Sequence, residues 1–197
     1  MQLAQATATL ANNGVSMKPH LLAKIQTSMT SESQLISPII QDKIEFKPEN
    51  IEIVKQGMIA VTQPGGTAAS VGANAEYSIA AKTGTAQVIG IKQNAKYNAS
   101  SIDERHRDHA LFIAYAPADN PTIALAVIVE NGGHGGSSAG PIARKVMDYY
   151  LLGKLPVPEV SKDENGIPVT PIANAAIGAT ATSSTTPQPI AEEELHD

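Results

Sequence analysis

The sequence predicts an α+β fold, an antiparallel sheet flanked by helices, followed by a disordered C-terminal tail. Three features predict it. Helical spacing of apolar residues marks both ends of the first 153 residues, and between them lie three successive short runs rich in Ile, Val, Phe and Tyr. Beyond them the chain loses its aromatic residues altogether. Residues 1–153 therefore read as one folded body and 154–197 as a Pro/Ala/Thr-rich tail.

From Gln2 to Asn13, Leu3, Ala6, Leu10 and Ala11 recur at helical spacing, and Asn12-Asn13-Gly14 supplies a left-handed stop. Leu21 to Ile25 reads as extended, and Glu32 to Pro48 as a polar, turn-prone passage. Pro48 opens a second helix with Ile51, Val54, Met58 and Val61 as its apolar stripe, and Gln63-Pro64-Gly65-Gly66 ends it. The period then shortens. Ile79–Ile89, Ala110–Ala116 and Ile123–Val129 read as strands, with a long polar excursion from Lys92 to Asp108 that is either a functional loop or a solvated insertion. A last helix is expected from about Ala139 to Leu152, with Ile142, Val146, Tyr149 and Tyr150 on its apolar side.

Composition removes several classes of function. The formal net charge is −5 and Lys and Arg are not clustered, so the footprint of a nucleic-acid or anionic-membrane binder is missing. With no cysteine there are no disulfides, thiolate metal sites or cysteine nucleophiles. The N-terminus has no basic segment leading into an apolar stretch, and no run of 18 apolar residues occurs, so neither an export signal nor a membrane anchor is expected within these residues.

One motif carries chemistry. Lys82-Thr83-Gly84-Thr85 interrupts an apolar strand signal, and polar residues in such a place call for hydrogen-bond partners or an exposed edge. An edge strand offers its backbone groups to an extended peptide. Gly84 allows close approach of another backbone, Lys82 sets a cation beside a serine hydroxyl or a substrate carboxylate, and the Thr83 and Thr85 hydroxyls can bond that carboxylate. The bland alternative is a surface lysine followed by a turn.

Around this motif the sequence resembles the class B penicillin-binding proteins, in particular their elongation-specific branch, and Lys-Thr-Gly is shared by penicillin-binding proteins and serine β-lactamases. The resemblance rests on Ala80-Ala81-Lys82-Thr83-Gly84-Thr85-Ala86-Gln87, Arg107-Asp108-His109-Ala110-Leu111-Phe112, Ala114-Tyr115-Ala116-Pro117 and Val129-Glu130-Asn131-Gly132-Gly133. The opening Gln2-Leu3-Ala4-Gln5-Ala6-Thr7 helix, Asn13-Gly14 and the Pro64-Gly65-Gly66-Thr67-Ala68 turn extend it in consistent order from residue 2 to about 153. It implies the C-terminal part of a transpeptidase domain: a periplasmic, inner-membrane peptidoglycan D,D-transpeptidase of cell elongation and shape that cross-links D-Ala-D-Ala stem peptides by serine acyl transfer and binds β-lactams. It implies further partners in the membrane proteins of the elongation machinery, and no cofactor.

Carried over by motif, Lys82 and Thr85 are the catalytic residues. Lys82 would bond the serine of the family's second motif and help move a proton, and the Thr85 backbone N–H would form half of an oxyanion hole. Thr83, Gly84 and Thr85 would hold the substrate, the two hydroxyls on its terminal carboxylate. The family's Ser-x-x-Lys and Ser-x-Asn motifs occur nowhere in this sequence, so the nucleophile is expected on an upstream N-terminal part of the same protein and this segment alone is expected to be inactive.

Other residues read as structural. Asp103 to His109 mixes acids, arginines and histidines as salt-bridged surfaces do, and no metal is assigned. His134 lies among glycines without the Lys-Ser/Thr of a phosphate cradle and reads as part of a flexible connector. Two rival functions stay open at this point: a related serine β-lactamase or D,D-carboxypeptidase, and a non-catalytic peptide-binding module using the edge strand and tail.

Overall fold

The computed structural model describes residues 1–28, 32–90, 98, 102–155, 161–162 and 168–169. Two units separate along the chain, Met1–Pro156 and Val157–Asp197. The first begins with helix α1 (Gln2–Ala11), strands β1 (Val15–Met17), β2 (Lys24–Ile25), β3 (Gln34–Leu35) and β4 (Ile40–Lys43), and helices α2 (Pro48–Ala60) and α3 (Ala69–Gly72). Strands β5 (Ala80–Ala86), β6 (His109–Ala116) and β7 (Ile123–Val129) and helix α4 (Gly135–Leu152) complete it.

The expected antiparallel sheet is present, in the order β5-β6-β7, so β6 is its centre and β5 an edge. Alternation along β6 divides the core. Ala110, Phe112, Ala114 and Ala116 pack with Ala139, Ala143 and Met147 of α4, while Tyr115 turns to the opposite face with Ala80, Ala11 of α1 and Met58 of α2. The Tyr115 hydroxyl is buried with no hydrogen-bond partner among the described residues, and burial, then the charge of Glu52, pushes its pKa up. Helices thus cover both faces, which makes the sheet a rigid support for whatever its edge presents.

The helices form where expected, yet their buried faces differ. On α1, Leu3 and Ala6 are exposed and the buried positions are Thr7, Thr9 and Ala11. The two hydroxyls can be buried because each donates one turn back, Thr7 to the Leu3 carbonyl at 2.7 Å and Thr9 to the Gln5 carbonyl at 2.9 Å. The α1 stop does use positive φ, at Asn13 (52°) and Gly14 (95°). On α2 the burial centres on Met58, with Val54 largely exposed.

Helix α4 departs furthest from expectation. It begins at Gly135, four residues earlier than predicted, and Ile142 and Val146 are each 45% exposed, with Tyr149 and Tyr150 at 56% and 60%. Its core face is Ala139, Gly140, Ala143 and Met147. Small residues are needed there because the helix lies so close to its neighbours that a Cβ on Gly140 would sit 2.7 Å from a Val71 methyl.

The Arg144 guanidinium fastens α4 to the loop after α3. It donates to the Val71 carbonyl at 2.7 Å, the Ala73 carbonyl at 3.1 Å and the Asn74 carbonyl at 3.2 Å, and pairs with Asp148 at 2.8 Å. The same carboxylate accepts from the Tyr77 hydroxyl at 2.7 Å. Burial, then the Asp148 hydrogen bond, drives the Tyr77 pKa well up. For Asp148, burial pulls upward, but the Tyr77 and Arg144 hydrogen bonds outweigh it and hold its carboxyl below the usual range.

Several expectations are revised in the remaining segments. β5 ends at Ala86 rather than Ile89, and the polar passage from Glu32 holds two strands, β3 paired with β2 and β4 paired with β1. Their exposed side chains carry no alternation that a sequence reading could detect. Most of the Lys92–Asp108 excursion lies outside the described residues; its end is a single 3-10 turn, Glu104–His106, whose Arg105 makes an exposed pair with Asp103 just before it at 3.5 Å. The expected tail also lies largely outside them. Within Val157–Asp197, strands β8 (Ser161–Lys162) and β9 (Pro168–Val169) form a short antiparallel ladder that was not anticipated.

Candidate functional site

The Lys82-Thr83-Gly84-Thr85 run lies in the middle of β5, paired with β6 through Lys82 and Ile113, Thr83 and Phe112, Gly84 and Leu111, and Thr85 and Ala110. On an edge strand every second residue turns its N–H and C=O away from the neighbour. The Lys82 ammonium reaches the Thr83 carbonyl at 2.6 Å. That contact marks Thr83 as facing the open edge, and the period of two gives Thr85 the same facing.

Side chains alternate in the other sense. Ala81 belongs to the core beneath α4, so Thr83 and Thr85 rise on the α4 face, and Lys82 on the opposite one. The two threonines line a concavity of about 350 Å3 with Thr67, His134, Gly135, Gly136 and Ser137. Thr67, Thr83, Thr85 and Ser137 give its lining four hydroxyl-bearing residues. A larger hollow of about 380 Å3 beside Asn13, Lys55 and Asp119 offers no comparable set, because the Lys55 ammonium there is engaged by Asn13 at 2.8 Å and the Ala11 carbonyl at 3.3 Å.

The concavity exists because two glycines let α4 descend onto the sheet. A Cβ on Gly135 would lie 2.1 Å from the Leu111 carbonyl oxygen and 2.7 Å from that of Gly84, and one on Gly136 would lie 2.6 Å from the Thr67 carbonyl oxygen. The glycine-rich stretch is therefore no loose connector. Gly133 donates to the Asp108 carbonyl at 2.8 Å, the Asn131 N–H to His109 Nδ1 at 2.9 Å, and the Asn131 amide to the Arg107 carbonyl at 2.8 Å. These bonds give Arg107, Asp108 and His109 the structural role expected of them, at the start of β6.

His134 is the N-cap residue of α4 and makes no side-chain capping bond, so the positive end of an 18-residue helix opens toward Thr83 and Thr85. Hydroxyl donors beside a helix N-terminus suit an anion, a carboxylate among them. The structure thus unites Thr83 and Thr85 at the concavity, sets the Gly84 backbone beneath Gly135 rather than in its lining, and leaves Lys82 outside it, on the other face of the strand. The sequence pointed to neither Thr67 nor Ser137 as a site residue and gave His134 the role of a connector; the early helix start was hidden by the low helix propensity of Gly132-Gly133-His134-Gly135-Gly136.

The edge strand β5 and the notch beside it thus lie on a sheet covered by helices on both faces. The chain belongs to the penicillin-binding protein transpeptidase domain family, whose model matches residues 1–148. It is 44% identical over 159 residues to the peptidoglycan D,D-transpeptidase MrdA of Haemophilus influenzae, a match covering 79% of this chain and 24% of that protein. The chain therefore corresponds to about a quarter of the length of the curated relatives it matches. Among solved structures it resembles Pseudomonas aeruginosa PBP2 in complex with WCK 5153, with 39% identity and a TM-score of 0.55, covering 85% of this chain and 31% of that one. It also resembles the penicillin G acyl-enzyme of penicillin-binding protein A from M. tuberculosis, at 30% identity and a TM-score of 0.54, covering 75% and 31%.

Proposed function

We propose that this chain supplies the substrate-docking strand of a serine peptidoglycan D,D-transpeptidase acting in cell-wall elongation at the periplasmic face of the inner membrane. The observation that carries the reading is the open edge of β5, with the Thr83 and Thr85 hydroxyls rising beside it into one anion-suited notch. A stem peptide ending in D-Ala-D-Ala docks along that edge with its terminal carboxylate on the two hydroxyls.

The chemistry follows from that placement. A serine oxygen from upstream sequence attacks the penultimate D-Ala carbonyl, and the negative charge that develops on the carbonyl oxygen is met by the Thr85 N–H. The C–N bond breaks, the terminal D-Ala leaves with a proton on its amine, and the acyl group stays on the serine. An amine of a second stem then attacks the ester, forming the cross-link and returning the proton to the serine. Lys82, on the opposite face of the strand from the notch, would bond the second-motif serine of the upstream sequence and assist these transfers. A β-lactam enters by the same contacts, and its ring opens at the first attack. Domain limits of 1–153 and 154–197 go with this reading.

Labelling with a fluorescent penicillin tests it. The full-length protein containing this chain should carry a stable covalent adduct through denaturing electrophoresis, and the 197-residue chain alone should carry none. Covalent labelling of the chain alone would show that the acylated group lies within it and would overturn the assignment of the nucleophile.

A further inference from the structure

Thr67 stands in the turn between α2 and α3, outside the β5 motif, yet its Oγ1 is 3.2 Å from that of Thr83. Resting on the reading above, we propose that Thr67 is a positioning residue for the acyl-transfer site: its hydroxyl fixes the proton of Thr83 so that Thr83 donates to the ligand carboxylate.

Hydrogen-bond polarity sets which hydroxyl donates. Either hydroxyl can be the donor when the notch is empty. A carboxylate, however, only accepts, so a ligand bound there requires Thr83 to donate outward. The Thr83 oxygen is then free to accept, and Thr67 becomes the donor. The result is a directed chain from Thr67 through Thr83 to the carboxylate, in which each bond polarises the next.

Thr67 is held well enough to do this. Its neighbours on both sides are fixed by backbone bonds: the Gly66 N–H donates to the Gln63 carbonyl at 2.9 Å, and the Ala68 N–H to the Val61 carbonyl at 2.9 Å. Ala68 is buried in the core beneath α4, and Gly66 lies so close to α2 that a Cβ would stand 2.2 Å from the Val61 carbonyl oxygen. The Thr67 carbonyl in turn rests against Gly136 of α4. A residue tied to α2, to the core and to α4 loses little freedom when it orients a hydroxyl, so the bond favours the bound state.

The test uses penicillin acylation of the full-length protein and a double-mutant cycle. Thr67→Val keeps the branched shape without the hydroxyl and should slow acylation about three- to tenfold, the effect of one neutral hydrogen bond. Thr67→Ser should restore the rate to within about twofold. Because Thr67 acts through Thr83, adding Thr67→Val to a Thr83→Val background should cost little more, whereas independent roles would multiply. An unchanged rate in Thr67→Val, failure of Thr67→Ser to recover it, or multiplying losses in the double variant each overturn the inference while leaving the acyl-transfer reading intact. A wild-type protein that does not acylate overturns the reading itself and the inference with it.

Discussion

Replacing Gly135 with alanine is expected to damage the protein far more than one methyl group ordinarily would. The added Cβ would meet the Leu111 carbonyl oxygen at 2.1 Å, the Gly84 carbonyl oxygen at 2.7 Å and the Gly84 nitrogen at 3.0 Å. All three are backbone atoms of the β5–β6 ladder and cannot rotate away. Ordinary contact begins near 3.4 Å, so the start of α4 must retreat by about 1 Å or the ladder must yield beside Thr85. Overpacking of this kind costs about 1–3 kcal/mol, here toward the upper end because no side chain can absorb it. In a chain of 197 residues each kcal/mol moves the Tm by about 2–4 °C, so a fall of about 5–10 °C is expected. Gly57→Ala is the control, since nothing lies within 4 Å of its added Cβ and α2 gains helix propensity of about 1 kcal/mol. Thermal unfolding followed by circular dichroism reads both. Equal stability of Gly135→Ala and wild type would refute the close docking of α4 on which the notch depends.

Other perturbations follow from the same contacts. Arg144→Ala removes three bonds to carbonyls and the partner of Asp148, and should lower stability by about 2–4 kcal/mol in denaturant titration. Tyr115→Phe deletes a buried hydroxyl that has no partner among the described residues, and should leave stability unchanged or raise it by about 1 kcal/mol. The lowered pKa of Asp148 contributes stability that is complete above its unfolded value of 3.8 and disappears as pH falls through the lower folded value; Asp148→Asn should flatten that part of an acid unfolding series. Tyr77, whose pKa is raised, acts with the opposite sign: its contribution is complete below its unfolded value of 10.0 and declines as pH rises above it, and Tyr77→Phe should remove that alkaline loss.

What the sequence disclosed and what it hid have physical reasons. The strands of the sheet were legible because β6 is buried on one face and at least half-buried on the other while β7 is apolar throughout, and the end of α1 because Asn13 and Gly14 suit positive φ. Polar Lys82 to Thr85 within such a run pointed to an edge, and β5 is one. The faces of the helices were illegible for a converse reason. Burial in α4 falls on Ala139, Gly140 and Ala143 because close packing selects small side chains, and hydropathy gives Ile142 and Tyr149 more weight. Thr67 and Thr83 are 16 positions apart, and their hydroxyls meet where the start of α4 lies against both residues. No local pattern encodes that contact.

The central claim is that the open edge of β5 receives the acyl ligand, and a crystal structure of the full-length protein acylated by penicillin addresses it directly. The account predicts the ligand carboxylate within about 3 Å of the Thr83 and Thr85 hydroxyls and its acyl carbonyl oxygen at the Thr85 N–H. An adduct whose carboxylate lies away from the notch, with the Thr85 N–H unengaged, would contradict it.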